Sequence, residues 1–264
     1  MYEFEYHRAD SVKDAISTWT GASDGAYLAG GMTLLPTMKQ RLASPSDLVD
    51  LAKIGGLKGI TVSGGTVTIG AMTTHAEVNT SADVQKAIPA LAELAGRIGD
   101  PMVRHRGTIG GSIANSDPAA DYPAGLLGLG ATVKTNKRSI AADDFFTGLF
   151  ETALEDGELI TEVSFPVPKR AGYSKFPQPA SRFAMVGVFV AETSGGVRVA
   201  VTGAGPNAYR VPEMESALGG NFSPDAVAGI KVPAGDLNSD IHASAEYRAH
   251  LVTVMAKRAV AAAG

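Results

Sequence analysis

The sequence contains no cysteine. This absence excludes disulfides, thiolate nucleophiles and the cysteine ligands of ordinary iron–sulfur clusters. An electron carrier in this chain must therefore be an organic cofactor or a metal held without thiolate. The five histidines show no HExxH spacing and stand in no carboxylate cluster, so the sequence supports no metal site, although it does not exclude one.

Excess positive charge and long apolar runs are also missing. Lysine and arginine total 23 against 27 aspartate and glutamate residues, a net charge of −4, and no dense basic run carries interleaved aromatic residues. Nucleic acid is therefore not an expected partner. No stretch of about 18 apolar residues occurs, and the first residues lack the layout of a signal peptide. We expect a soluble cytoplasmic chain without a transmembrane segment.

The 264 residues are 45% hydrophobic, which is enough for a globular protein of two or three lobes. Alternating apolar residues around Gly64-Gly65 predict a hairpin over 60–69, and a second hairpin is predicted around Gly195-Gly196. Thr74 and Glu77 have the spacing of a capping box, and helical periodicity follows from Val84 to Ile98. Residues 158–165 predict a strand with Ile160 on its more polar face. These patterns favour an α+β architecture with mixed or antiparallel sheets.

Two glycine-rich segments are the strongest local signals for a ligand. In the first, an apolar run ends in Gly30-Gly31 and leads into a helix-like segment, so the backbone N–H groups of the turn can face an anion. The alternative for this segment alone is a tight turn joining two elements. The second segment, 104–121, contains three glycines, the hydroxyls of Thr108 and Ser112, and Asp121, whose carboxylate can accept hydrogen bonds from a ribose diol. Two amide-rich loops suit two linked phosphates.

Other nucleotide motifs are poorly matched. Neither loop has the GxxxxGK[ST] pattern, so hydrolysis of a nucleoside triphosphate is not supported. A GxGxxA pattern at 203–208 resembles the Rossmann fingerprint, but Pro206 lies inside it and Glu213 and Glu215 follow too early to be the ribose-binding acid. We interpret this segment as a strand-to-helix turn.

The combination of several motifs resembles the FAD-binding medium subunits of molybdenum hydroxylases, as in carbon monoxide and xanthine dehydrogenases. The resemblance covers nearly the whole chain. The resemblance rests on the motifs AGGMT at 29–33, TIGGS at 108–112, DPAAD at 117–121, DFFTGL at 144–149, GELITEV at 157–163, PASRFA at 179–184 and ASAEYRAH at 243–250.

The resemblance implies an α+β protein with a two-subdomain FAD-binding fold of the vanillyl-alcohol-oxidase/PCMH type, followed by a C-terminal α+β lobe with an antiparallel sheet. The implied divisions are 1–56 and 57–170 for the two FAD-binding subdomains and 171–264 for the C-terminal lobe. The break at 166–172, which contains two prolines and a glycine, agrees with the second boundary.

The resemblance also implies which residues hold FAD. One group wraps the pyrophosphate: Leu28, Ala29, Gly30, Gly31, Met32, Thr33, Leu34 and Leu35. A second group completes that cradle: Thr108, Ile109, Gly110, Gly111 and Ser112. Asp121 is expected at the ribose or ribityl region, Ile160 at the isoalloxazine and Lys175 beside the ring. Met32 stands where relatives often have a polar residue, so only its backbone is expected to contact phosphate. No residue is expected to act as a catalytic acid, base or nucleophile.

The implied role is electron transfer within a complex. Electrons are expected to arrive from [2Fe–2S] clusters on a separate small subunit, while a separate large subunit carries the molybdopterin cofactor and the substrate pocket. A dimer of heterotrimers is the expected assembly, in the cytoplasm or peripheral to the inner membrane through the complex. The rival functions are a self-sufficient FAD-dependent reductase or oxidase, for which no proton donor is evident, and a non-enzymatic assembly scaffold.

Overall fold

The computed structural model describes residues 1–263, and three sheets organise the chain. The first is a three-stranded parallel sheet in the order β1-β3-β2, so the chain opens with a small βαβ arrangement although the other two main sheets are antiparallel. Its strands are β1 (Glu5–Arg8), β2 (Gly25–Leu28) and β3 (Asp47–Asp50). The helices are α1 (Val12–Gly21) and α2 (Leu34–Lys39).

The second sheet is antiparallel, in the order β4-β5-β10-β6-β7. Its strands are β4 (Ile60–Ser63), β5 (Thr66–Gly70), β6 (Thr132–Thr135), β7 (Ser139–Ala141) and β10 (Ile160–Pro166). A separate pair is formed by β8 (Phe146–Gly148) and β9 (Glu151–Thr152). The helices of this region are α3 (His75–Thr80), α4 (Ala82–Ala87), α5 (Pro89–Gly96), α6 (Pro101–Arg106), α7 (Ile109–Asn115), α8 (Tyr122–Leu129) and α9 (Ala142–Phe145).

The third sheet is antiparallel in the order β11-β12-β13-β14, and the longest helix, α12, packs on it. The strands are β11 (Arg170–Pro177), β12 (Ala184–Thr193), β13 (Gly196–Thr202) and β14 (Tyr209–Arg210). The helices are α10 (Pro212–Gly220), α11 (Pro224–Val227) and α12 (Ala245–Ala262). No helix within residues 1–263 is long and apolar enough to cross a membrane.

Both predicted hairpins are present, as β4–β5 and β12–β13, and the Thr74–Glu77 capping box has both of its hydrogen bonds. The helical periodicity from Val84 is divided between α4 and α5. The break falls at Ile88, which has φ −141°, because Pro89 disfavours the helical conformation of the residue before it.

Two sequence interpretations need correction. Ile160 is not on a polar face: a register shift between Ile160 and Glu162 interrupts the alternation, and Ile160 is buried in the same apolar cluster as Val163. The GxGxxA segment does not join a strand directly to a helix. Its loop leads into the short strand β14, and α10 begins only after that strand.

The apolar clusters connect the three regions. The largest cluster, around the second sheet and α8, also contains Tyr173 and Phe189 of the third sheet. The cluster of the first region includes Leu159, which precedes β10. Burial of apolar surface across these boundaries stabilises the positions of the elements whose ends meet at one cleft.

Candidate cofactor site

A cleft of about 600 Å³ lies where the three regions meet. Its volume falls in the range of about 300–1,000 Å³ that is typical of small-molecule sites. The cleft is lined by twelve of the sixteen residues expected to hold FAD: Ala29, Gly30, Gly31, Met32, Thr33, Leu34, Thr108, Gly110, Gly111, Ser112, Asp121 and Ile160. The other four do not line it: Leu28, Leu35, Ile109 and Lys175.

The first glycine loop, residues 29–33, connects β2 to α2. Gly31 has φ +70°, a left-handed conformation that favours glycine. Gly30 packs directly against the backbone of the second segment, since a Cβ atom at Gly30 would collide with the carbonyl oxygen of Arg106. The two glycine segments, which are more than seventy residues apart in sequence, are therefore adjacent in the fold.

The amides of the first loop are unpaired. Within residues 1–263, no backbone or side-chain acceptor bonds the N–H groups of Gly30, Gly31, Met32 or Thr33. The first bonded amide after this loop is that of Leu35, which donates to the carbonyl oxygen of Gly31. Backbone amides at a cleft wall require an acceptor or water. Four consecutive donors at one wall of the cleft form a concave site suited to an anion such as a pyrophosphate.

The second loop differs, and the expectation of two amide-rich loops is corrected here. The amides of Ile109 and Gly110 donate to the carbonyl oxygens of Thr73 and Ala71, at 3.1 and 2.9 Å. The amide of Gly111 donates to the hydroxyl of Thr108 at 3.1 Å, because Thr108 is the N-cap of α7. The second loop therefore presents side-chain hydroxyls to the cleft, and the amides of Ile109, Gly110 and Gly111 are already bonded inside the protein.

The carboxylate of Asp121 is buried beside the second loop and paired within the protein. Lys175 Nζ lies 2.9 Å from one of its oxygens and also donates to the carbonyl oxygen of Arg97 at 2.8 Å. The hydroxyl of Tyr173 donates to the same carboxylate. Burial raises the pKa of Asp121, while Lys175 and Tyr173 oppose that shift by stabilising the charged form. The structure thus brings Asp121 and Lys175 together, with Asp121 at the cleft wall and Lys175 behind it.

Comparison with known proteins decides the family. Residues 2–168 match the model of the FAD binding domain in molybdopterin dehydrogenase, and residues 171–263 match that of the CO dehydrogenase flavoprotein C-terminal domain. The chain belongs to the FAD-binding medium subunits of molybdenum hydroxylases. It is therefore an oxidoreductase subunit that binds FAD.

Individual relatives match over nearly their whole length. The nicotine 6-hydroxylase medium subunit of Paenarthrobacter nicotinovorans is 37% identical, covering 98% of this chain and 96% of that protein. The carbon monoxide dehydrogenase medium chain of Hydrogenophaga pseudoflava is also 37% identical, with the same two coverages. In the structure of reconstituted CO dehydrogenase from Oligotropha carboxidovorans, a chain with 35% identity superposes with a TM-score of 0.91, covering 99% of this chain and 98% of that one.

The cleft fits the cofactor of this family. The unpaired amides at 30–33 offer donors for the linked phosphates, and Gly30 lets the loop that carries them pack against the backbone of the second segment. The hydroxyls of Thr108 and Ser112 supply further donors on the opposite loop. The predicted contacts of Ile160 and Lys175 with the ring stay predictions.

One residue that lines this cleft, His75, is not indicated by the glycine motifs. It is the first residue of α3, and its ring lies at the cleft wall, with its centroid 5.4 Å from that of the Tyr122 ring. Burial, with a smaller contribution from Arg104, lowers the pKa of His75 to about 4, so its imidazole is neutral at pH 7. Its Nδ1 is buried and has no hydrogen-bond partner in the described part of the chain. The capping-box pattern explains the backbone of this segment and carries no information about where the ring points.

Glu158 was also missed at the cleft wall. Although burial raises the pKa of Glu158, hydrogen bonds from Arg138, from the amide of Glu155 and from Thr135 lower it to about 2. The carboxylate is therefore ionised and fully engaged by protein groups. Thr135 and Arg138 are 23 and 20 residues away in sequence, so only the folded structure reveals that Glu158 anchors the chain that enters β10.

Proposed function

We propose that this chain is the electron-transfer subunit of a molybdenum hydroxylase complex. Electrons pass from the [2Fe–2S] clusters of a small partner subunit, through FAD on this chain, to an external acceptor. A large partner subunit holds the molybdopterin cofactor and the substrate pocket, and the assembly is a dimer of heterotrimers. The absence of cysteine supports this placement of the cofactors on separate subunits, because thiolate-ligated clusters must then lie on another chain.

The observation that carries the proposal is the row of four unpaired amides at the wall of the cleft. These amides bind the pyrophosphate, and the hydroxyls of Thr108 and Ser112 orient it from the second loop. Asp121 holds the ribose or ribityl region, while Ile160 and Lys175 lie toward the ring. When bound, FAD supplies the exchange of electrons singly or in pairs, and the protein binds it and adjusts its electrostatic surroundings.

We further propose that the complex works in the cytoplasm or at the inner face of the membrane, held there through its partners. The described chain itself contributes no membrane-spanning helix to such attachment. Cell fractionation of the native complex, with and without a salt wash, distinguishes a free complex from one that is peripherally bound.

The central test begins with cofactor content. Acid extraction of the purified chain is expected to release FAD, and not FMN, at about one equivalent per chain, because the unpaired amides suit a diphosphate. A colourless chain that binds no flavin when FAD is added would support a scaffold role instead. Recovery of FMN alone would contradict the assignment of the loop to a pyrophosphate.

The second part of the test follows electron delivery. The FAD-loaded chain is mixed anaerobically with the chemically reduced [2Fe–2S] subunit, and flavin absorbance is recorded. Rapid bleaching is expected, since a docked cluster can lie close to the ring. The matched control mixes the same FAD-loaded chain with carbon monoxide or nicotine and no partner subunit. Bleaching in that control would identify a self-sufficient flavoenzyme and refute the relay.

A further inference from the structure

A second cavity, of about 640 Å³, adjoins the cofactor cleft. Most of its lining comes from three segments, the DPAAD segment, the PASRFA segment and the region that enters α12, and Leu149 and Gly203 complete it. These segments come from distant parts of the chain. FAD binding at the first loop does not explain why they converge here.

The two cavities share a wall. Asp117, Ser181 and Phe183 line both of them. The shared segment 178–183 is a compact turn in which the side chain of Gln178 accepts hydrogen bonds from the amides of Ala180 and Ser181 at 2.6 and 2.7 Å. A molecule in the second cavity is therefore separated from the cofactor cleft by one layer of side chains.

Two large apolar side chains of the second cavity are exposed. Leu149 is 54% and Phe183 48% accessible, although large apolar side chains usually pack away from water. Polar side chains of Ser239 and His242 stand on the same cavity wall and are also exposed. Exposed apolar side chains beside hydroxyl and imidazole groups suit a flat, mainly apolar molecule that carries hydrogen-bonding oxygens.

The charges of this cavity argue against a dinucleotide. The lining residues of the described chain include two carboxylates, Asp117 and Asp240, and one permanent cation, Arg248. Arg248 is already engaged, because it donates to the carbonyl oxygens of Met185 and Gly203 at 2.7 and 3.0 Å and to Asp240 at 2.7 Å. Its Nε is enclosed and out of reach of a ligand. Among the lining residues of the described chain, no permanent cation is left uncommitted to bind a pyrophosphate, so this cavity suits an uncharged ligand better than a dinucleotide.

We propose that the second cavity binds an external electron acceptor of the quinone class, an inference that rests on the proposed function. Reduction of the bound quinone to a quinol would take two electrons from reduced FAD and two protons, one released as the flavin is oxidised and one from solvent. Asp117 lines both cavities, and burial raises the pKa of its carboxyl group. This carboxyl group is positioned to pass a proton between the two sides of the wall.

The test fills the cavity without touching the cofactor cleft. Ser239→Trp and Ala180→Trp place an indole at two exposed positions that line only the second cavity. Ser44→Trp adds the same bulk at an exposed position outside both cavities and is the matched control. FAD content is measured first in all four proteins and is expected to be equal.

The first readout is binding of ubiquinone with one isoprenoid unit, measured by isothermal titration of the full chain. We expect saturable binding at one quinone per chain, weakened at least about tenfold in both filling variants and unchanged in Ser44→Trp. This measurement does not depend on bound flavin, so it separates the cavity from the proposed function. No saturable binding, or equal binding in all four proteins, would overturn the proposal.

The second readout is reoxidation of the dithionite-reduced, FAD-loaded chain. The rate is expected to saturate with quinone concentration and to fall at least about tenfold in the filling variants, while NAD⁺ leaves the flavin reduced. Saturable reoxidation by NAD⁺ that the filling variants abolish would assign the cavity to a dinucleotide instead. A chain that binds quinone but not FAD would refute the proposed function and leave the cavity assignment standing.

Discussion

The two glycine segments of the cofactor cleft resemble each other in sequence and differ in what their polar groups do. In the first, four consecutive amides from Gly30 to Thr33 have no partner within the described residues. In the second, the amides that start α7 are bonded to Thr73, Ala71 and Thr108, and the acidic end of the segment, Asp121, is paired with Lys175. Glycine content alone therefore does not identify an anion site, because the amides must also be left without an internal acceptor.

The largest expected effect tests the internal role of the second segment. Lys175→Met leaves Asp121 buried without its cation, and we expect the free energy of unfolding to fall by about 3–5 kcal/mol. Urea unfolding at a fixed FAD concentration measures the loss. The double variant Lys175→Met, Asp121→Asn removes both charges and is expected to recover part of the stability. A loss below about 1 kcal/mol in the single variant would mean that the pair is solvated and is no internal anchor.

The next effect tests the first loop. Gly30→Ala places a Cβ against the carbonyl oxygen of Arg106, which displaces the loop that carries the unpaired amides. We expect FAD affinity to fall at least about a hundredfold, measured by equilibrium dialysis and by flavin content after purification. Gly219→Ala is the matched control, since a Cβ at that glycine of α10 meets open space. Normal flavin content in Gly30→Ala would place the pyrophosphate elsewhere.

A smaller effect separates side-chain from backbone contacts on the second loop. Ser112 lines the cleft, and its hydroxyl has no partner in the part of the chain that the structure describes. Ser112→Ala is therefore expected to weaken FAD binding by roughly five- to tenfold, the loss of about one hydrogen bond, with no change in the thermal midpoint of the flavin-free chain. Thr108→Val gives the contrast, because removal of this N-cap also destabilises α7 by about 1 kcal/mol. Equal losses of stability in Ser112→Ala and Thr108→Val would contradict the different roles assigned to the two hydroxyls.

The smallest effect concerns His75, which contacts the second segment through a hydrogen bond from its amide to the carbonyl oxygen of Gly107. The pKa of its imidazole is about 4 in the folded chain against the ordinary value of 6.5, so the unfolded chain binds a proton first as the pH falls. Its stabilising contribution is complete above pH 6.5 and is lost between pH 6.5 and 4. Between pH 7 and 6 the loss is about 0.7 kcal/mol.

His75→Leu is expected to flatten this part of the pH dependence. Urea unfolding of the wild type and the variant at pH 7 and pH 6, at one FAD concentration, measures the difference in slope. Identical slopes in the two proteins would show that the imidazole is solvated and titrates normally.

Local patterns predicted much of the fold, and the reasons are local. Gly64-Gly65 and Gly195-Gly196 permit the positive φ angles that tight hairpins need, with φ +56° and +75° at the first pair. The capping box at Thr74 requires only residues three apart. Ile160 marks the limit of such reasoning, because a bulge inserts a residue that period-two counting does not detect.

By itself, the sequence determined the family, the FAD cofactor, the hairpins and the position of the first glycine loop, since these depend on motifs and on the conformational preferences of neighbouring residues. Tertiary structure alone decided which amides stay unpaired, why Lys175 faces Asp121 and where the second cavity opens. Those features depend on groups far apart in the chain: Lys175 and Asp121, for example, are 54 residues apart and meet at 2.9–3.1 Å. Hydrogen bonding and burial act over a few ångströms in space, whatever the separation along the chain.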